Sequence, residues 1–286
     1  MSAGRMEQLA GLTLAACAVV SIAAVVLIAA FVAIPGLPLI MKVGLFSFLG
    51  GTVWSPGDGM FGILPMIAGT IAVTAGALLI AVPSGLACAV YLAEFAPEAV
   101  ARSARLAIGV LAGIPSVVYG FYGLVVIVPF IRDHFGGSGL SLLAGSLVLG
   151  IMVLPTISAI SEDSLRAVPH DIREGSMALG ATKWETVTRV VLPTARSGIN
   201  ASVVLGMGRA IGETMALIMV TGNAPVFPGG VTRMVRTLTG NIALELGYAA
   251  GDHQRALFAT GLVLLVLIMG LNRLAEVVAG VGRSHD

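Results

Sequence analysis

Charge is scarce in this 286-residue sequence: Asp, Glu, Lys and Arg make up 11% of it, against about 25% in a soluble domain. So few charges cannot give a 29.1 kDa globule a water-facing skin, and the mean hydropathy of +0.99 agrees. A cytosolic enzyme, a nucleic-acid-binding protein and a disordered chain are excluded on this ground. Cysteine is nearly missing. Cys17 and Cys88 lie apart inside apolar runs, so neither a disulfide nor a metal site is inferred. The four histidines, His134, His170, His253 and His285, are widely separated and show no H-E-x-x-H spacing. A phosphate-cradling Walker A loop is also lacking. Gly175 to Gly180 gives G-x-x-x-x-G, but Lys183 comes two places late. Energy from ATP would therefore have to come through another polypeptide. Net charge is +1 and points to no class of partner. No internal repeat is visible. Glycine, by contrast, is abundant at 37 residues, nearly twice the usual share of about 7%, which suits helices that approach closely in lipid.

Six apolar runs are long enough to cross about 30 Å of hydrocarbon, which takes about 20 helical residues. They cover about 9–34, 61–91, 106–131, 138–161, 198–220 and 256–272. Their apolar stretches are continuous rather than alternating, which predicts helices and not a barrel. The first run holds 26 uncharged residues, more than the roughly 7–15 of a signal-peptide core, and is read as a retained helix. The expected fold is all-α: a polytopic membrane bundle of six transmembrane helices, with 1–286 as one domain. With a cytoplasmic N-terminus, ten basic residues fall inside: Arg5, Arg102, Arg105, Arg166, Arg173, Lys183, Arg189, Arg196, Arg273 and Arg283. Five fall outside: Lys42, Arg132, Arg233, Arg236 and Arg255. That bias predicts both termini in the cytoplasm. Residues 282–286 read as a short polar tail.

The long inner loop, about 162–197, has a pattern of its own. Pro169 suits a first helical position, and the helix after it carries Ile172, Ser176 and Leu179 on one side. Gly180 suits a left-handed helix end. Thr182 and Glu185 have capping-box spacing, and the second helix presents Trp184, Val187 and Val191 as an apolar face. Pro193 marks its end or the start of the next span. Two short amphipathic helices joined at a glycine fit a groove in a partner protein, or equally the lipid interface.

The fifth run holds Arg209 at its midpoint and Glu213 one turn further. In a continuous helix the two share a face. An Arg at mid-bilayer costs about 2.5–3.5 kcal/mol on insertion scales, so it is expected to face the bundle interior or a wet cavity. Three readings stay open: a structural Arg–Glu pair, a proton relay, or an Arg that attracts an anionic solute through its planar fork while Glu213 orients it. Gly206, Gly208 and Gly212 surround the pair. Ser116 and Tyr119 stand beside Pro115 in the third run, as pathway groups or as packing around a kink. Pro83 and Pro155 read as kinks. In the long outer loop, Pro225, Pro228, Gly229 and Gly230 precede a helix-like stretch with Arg233 and Arg236, which fits a soluble partner or a solvated interfacial helix equally well.

A family resemblance sharpens these readings. Glu174-Gly175-Ser176, then Gly180, then Val190, Leu192 and Pro193, resemble the EAA loop of ABC importer permeases: E-A-A, three residues, G, nine residues, I-x-L-P. The departure is Gly-Ser in place of Ala-Ala. The stretch from Gly208 through Ala216, followed by Met219 to Asn223, is similar to permeases of phosphate-specific importers, to the PstC type more than its PstA partner. Phe61 to Pro65, Gly113 to Gly120 and Thr237 to Ala243 add to the likeness, which spans about 50–275. No motif matches the first 45 residues or so.

The resemblance implies a type I, MetI-like permease fold in a bacterial inner membrane. It implies a permease subunit of an ATP-driven importer of inorganic phosphate, not itself an enzyme. The partners it implies are a PstA-like permease completing the pore, two PstB-like ATPases holding ATP and Mg, and a PstS-like phosphate-binding protein, with no cofactor on this chain. Arg209 and Glu213, with Thr214, Ser116 and Tyr119, are then the expected substrate pathway. Glu174, Ala178, Gly180, Trp184, Leu192 and Pro193 are the expected ATPase-coupling residues. Another oxyanion such as phosphonate or sulfate is the nearest alternative, and a stand-alone proton-coupled carrier is the alternative from a different class.

Overall fold

The structure is a computed structural model that describes residues 3–280, with side chains described over 11–275. The tail at 282–286 and Arg283 lie outside the described residues, as does the side chain of Arg5.

The first helix, α1 (Ala3–Val43), has 41 residues, which at 1.5 Å each makes it about 60 Å long. Short α2 (Leu45–Gly50) follows. A small hairpin pairs β1 (Trp54–Ser55) with β2 (Met60–Phe61), Trp54 opposite Phe61. The long α3 (Leu64–Val90) ends in a π-helical turn, Tyr91–Phe95. Next come α4 (Glu98–Gly113), α5 (Ser116–Tyr122), a π-helical turn Gly123–Ile127 and α6 (Val128–Phe135). The other long core helix is α7 (Leu142–Arg166), capped where the Ala144 N–H donates to the Ser141 hydroxyl. A loop region follows with α8 (His170–Ala178), α9 (Lys183–Thr186), a π-helical turn Val187–Val191 and α10 (Leu192–Thr194). Finally come α11 (Arg196–Gly212), α12 (Met215–Val220), α13 (Leu238–Glu245) and α14 (Asp252–Gly280).

The centre of the bundle is the pairing of α3 with α7. Val73, Ala77 and Ala81 of α3 pack with Leu149, Met152, Val153 and Ile157 of α7, all buried. Small residues let the backbones close: a Cβ at Gly76 would collide with the Ser146 side chain. Hydroxyls use the short gap, Ser158 Oγ donating to the Gly85 carbonyl at 3.0 Å and Ser146 Oγ to that of Val73 at 3.4 Å. α1 joins the bundle only through its second half. Gly36 lies against the Ala259 backbone of α14, and Phe31 meets Phe258 edge-on at 5.6 Å. Residues 11–28 of α1 are exposed on every side, and so many bare apolar side chains are stable only in lipid or against another chain.

Among the described residues, five helices are long and apolar enough to cross a membrane: Gly11–Val43, Leu64–Phe95, Ser116–Phe135, Leu142–Arg166 and Asp252–Ala275. The bent pair Lys183–Thr194 and Arg196–Gly212, meeting at 67°, brings the number to six if it is taken as one span. The predicted helical class holds, with corrections to the bounds. The third run is not one helix with a kink. Pro115 excludes the helical conformation from the residue before it, Ile114 is extended at ψ 130°, and Leu106–Gly113 therefore belongs to the separate helix α4. The fourth run starts later than residue 138, because Gly139 turns left-handed and Ser141 caps the helix. The outer stretch with Arg233 and Arg236 is not helical. Gly222 and Val235 form an isolated bridge, and the helix begins only after Thr237, whose hydroxyl accepts the Gly240 N–H at 3.1 Å. Pro83 and Pro155 sit inside unbroken helices.

Candidate substrate pathway and coupling loop

The fifth run is broken at the position of its acidic residue. Glu213 leaves the helix at ψ 132° and Thr214 follows at φ −122°, so α11 stops and α12 starts anew. Three contacts fix the break. Glu213 Oε1 accepts the Ala216 N–H at 3.1 Å, capping α12. The Thr239 hydroxyl of α13 donates to the Glu213 carbonyl at 2.9 Å, and that of Thr214 to the Gly212 carbonyl at 3.2 Å. The predicted shared face of Arg209 and Glu213 is thus absent, because it presumed an unbroken helix. Among the described residues the two make no ion pair.

Arg209 occupies the last turn of α11, where the carbonyl end of the helix dipole favours a cation. One side of α11 is packed: Ser202, Gly206 and Ala210 are buried, Ser202 and Ser161 share a hydrogen bond at 2.8 Å, and a Cβ on Gly206 would stand 2.9 Å from Ile157 and Val153. The other side is bare. Leu205, Arg209 and Gly212 are exposed, and nothing lies within 4 Å of a Cβ on Gly208 or Gly212. Tyr119 is buried in the core, and its hydroxyl donates to the Leu111 carbonyl at 2.7 Å, tying α4 to α5 across the Pro115 break. Ser116, half-buried, opens α5. Close helix approach on this side comes from Gly120, against Ala216 and Met219 of α12.

At the other end of α11 the loop has the predicted joint. Gly180 is left-handed at φ 92°. Thr182 and Glu185 form the capping box, with the Thr182 N–H on Glu185 Oε2 at 3.0 Å and the Glu185 N–H on Thr182 Oγ1 at 3.3 Å. The backbone N–H of Thr182, then its hydroxyl, hold the Glu185 carboxyl below the usual range, against a small opposing effect of burial. The exposed apolar groups are Ile172, Met177 and Leu179, the last 91% exposed. Glu174, Ala178 and Gly180 are exposed beside them, and Glu174 faces His170 at 3.8 Å. The second helix does not offer its predicted face outward. Val187 and Val191 are buried, Val191 against Ala89, Leu165 and Ala195, because the π-helical turn rotates them onto the bundle. Trp184 stays exposed, near Phe95 at 6.3 Å, whose ring also carries the Lys183 ammonium at 5.1 Å. Leu192 is half-buried and Pro193 exposed.

The opposite end of the bundle holds a buried polar network that the sequence reading did not find. Glu245 accepts from Trp54 Nε1 at 2.9 Å and from Arg236 Nη1 at 2.5 Å, and meets His253 Nε2 at 2.8 Å. Arg236 also donates to the Asn223 carbonyl at 2.7 Å and to Asn241 at 3.0 Å. Burial pushes the Glu245 carboxyl up, but the bonds from Trp54, His253 and Arg236 outweigh it and hold the group below its ordinary value. Trp54 and Glu245 are 191 positions apart, and no local pattern announces such a pair.

The family model described as "Binding-protein-dependent transport system inner membrane component" matches residues 81–280. The chain is 44% identical to the probable ABC transporter permease protein YqgH of Bacillus subtilis, over 88% of this chain and 84% of that protein. It is 38% identical to the phosphate transport system permease protein PstC of Mesorhizobium japonicum, over 78% and 74% of the two chains. Among solved structures it is similar to a bacterial ABC transporter involved in import of the acidic polysaccharide alginate. There the TM-score is 0.64 at 13% identity, over 99% of this chain and 100% of that one.

Proposed function

Because this chain belongs to the family of binding-protein-dependent transport system inner membrane components, we propose that it forms half of the pore of an ATP-driven importer whose solute is inorganic phosphate. The similarity to PstC-type phosphate permeases supports the choice of solute. The observation that carries the reading is the bare side of α11. A cation stands there in the last helical turn with open space beside it, while the nearest carboxylate in sequence is turned away onto α12. An Arg so placed is not stable against lipid tails. Against a second permease it becomes a wall of a wet path, and its fixed charge and planar donors suit a tetrahedral oxyanion.

A PstA-like permease covers the bare side. Two PstB-like ATPases, with ATP and Mg, engage the loop through Glu174, Ala178, Gly180 and the exposed apolar groups of α8. Trp184, Leu192 and Pro193 set the loop on the bundle. A PstS-like protein delivers phosphate at the opposite end. Both termini lie on the ATPase side, in the cytoplasm. ATP binding moves the loop, and the pore alternates between its two faces with no covalent chemistry on this chain.

The test is Arg209→Gln in the purified four-component complex, reconstituted into liposomes. ATP-driven phosphate uptake should fall by about 30- to 150-fold, in line with loss of a charged hydrogen-bonding anchor worth about 2–3 kcal/mol. Assembly should be unchanged. Normal uptake by this variant would remove the anion role.

A further inference from the structure

The docking helix α8 has no buried residue of its own, yet it must move the membrane helices if it is to do anything. One side chain links them. Arg173 turns away from the exposed apolar groups of α8 and reaches three places at once. Its Nη2 and Nε lie 3.0 and 3.3 Å from Glu94 Oε1. Nη2 also donates to the Leu165 carbonyl at 2.7 Å, and Nη1 donates to the Val168 carbonyl. Glu94 belongs to the π-helical turn that ends α3, Leu165 to the last turn of α7, and Val168 lies two residues beyond that helix. The pair is largely withdrawn from solvent, with side chains 13% and 8% exposed.

The chemistry at this point is specific. The Leu165 carbonyl, in the last turn of α7, also accepts the Val168 N–H at 3.3 Å, and it carries part of the negative end of the helix dipole. A planar guanidinium spreads five donors over a fixed fork and here answers two carbonyls and a carboxylate together, whereas a lysine ammonium is a compact point charge with three donors. The π-helical turn around Glu94 is a wider, less common geometry that marks functional positions in many helices. Moreover, α3 and α7 are the central packed pair, so a displacement applied at their ends moves them as one body.

The geometry points to Arg173 and Glu94 as the positioning pair that passes movement of the docking helix to the α3–α7 core. Glu174, beside it in sequence, faces solvent, so adjacent residues divide the work: one meets the partner and the other holds the bundle. This inference rests on the importer reading above.

Two measurements on the reconstituted complex test it. The first is inorganic phosphate taken up per ATP hydrolysed. Arg173→Gln and Glu94→Gln should each lower that ratio by about tenfold, within the range of typical coupling effects, with all subunits retained. Arg173→Lys should fall between, keeping the charge and losing the fork. The second needs no solute: the change in thiol labelling of Gly212→Cys when ATP is added. It should be present with the native pair and lost in both Gln variants. If labelling responds to ATP but no phosphate is taken up, the phosphate reading fails and the labelling decides the pair. If the Gln variants keep the native labelling response, or the native uptake ratio, the pair is not the transmitter. Should Arg173→Gln lose the ATPase, Glu94→Gln decides, since it lies outside α8.

Discussion

Four positions separate Arg209 from Glu213, yet their side chains do different jobs because the backbone turns between them. Glu213 accepts an N–H at the start of α12, where a negative group is favoured by the helix dipole. Its charge is thereby answered by backbone donors and not by the guanidinium. This has a testable consequence. Glu213→Gln keeps an acceptor for the Ala216 N–H, whereas Glu213→Ala removes it, at a cost of about 0.5–2 kcal/mol for a lost cap. The Ala variant should therefore melt lower and transport less than the Gln variant in detergent-purified complex. If Glu213 instead worked as a counter-ion to Arg209, Gln and Ala would be equally impaired. Arg209 itself was legible in the sequence, since a charge at mid-span stands out against its apolar neighbours. The turn after it was not, because Thr239, 26 positions on, holds the Glu213 carbonyl.

At the level of elements, local signals and distant ones divide in the same way. Gly180 and the Thr182–Glu185 box were readable, since each acts within a few residues; Pro193, read as a helix end or the start of the next span, sits inside α10 instead. Pro115 was visible too, but sequence spacing alone does not separate a kink from a full break; the Tyr119 hydroxyl on Leu111 helps to hold the break open as two helices. Val187 and Val191 had the right spacing for an outward apolar face, and the π-helical turn together with the core near Ala89 and Leu165 drew them inward instead. The joint at Gly180 gives a clean test. Nothing lies within 4 Å of a Cβ there, so a substitution acts through the backbone alone. Gly180→Ala forces a left-handed Ala at about 1–2 kcal/mol, while Gly180→Asn places a residue that tolerates that conformation. The Ala variant should retain less ATPase on affinity-purified permease than the Asn variant. Equal retention in the two would show that the loop does not depend on the left-handed joint.

For the whole molecule, the bare surfaces matter more than the packed ones. Residues 11–28 of α1 and one side of α11 are uncovered, but they differ in kind. The α1 surface is apolar apart from Thr13 and Ser21 and carries no charge, which lipid satisfies. The α11 surface carries Arg209 between small residues, which lipid does not. The proposed pore requires water to reach α11 in the assembled importer, from positions a partner leaves open. In a Cys17→Ser, Cys88→Ala background, Gly212→Cys should react quickly with a charged, membrane-impermeant thiol reagent applied to both faces of liposomes holding the full complex. Ala210→Cys, on the packed side against α7, should react at least about tenfold more slowly, since modification of a covered position requires local opening. Saturating phosphate should slow the reaction at residue 212 and leave that at 210 unchanged, because a bound anion beside Arg209 shields one side of the helix only. If the two positions react alike, α11 does not line an aqueous path, and the bare side belongs to a dry subunit contact.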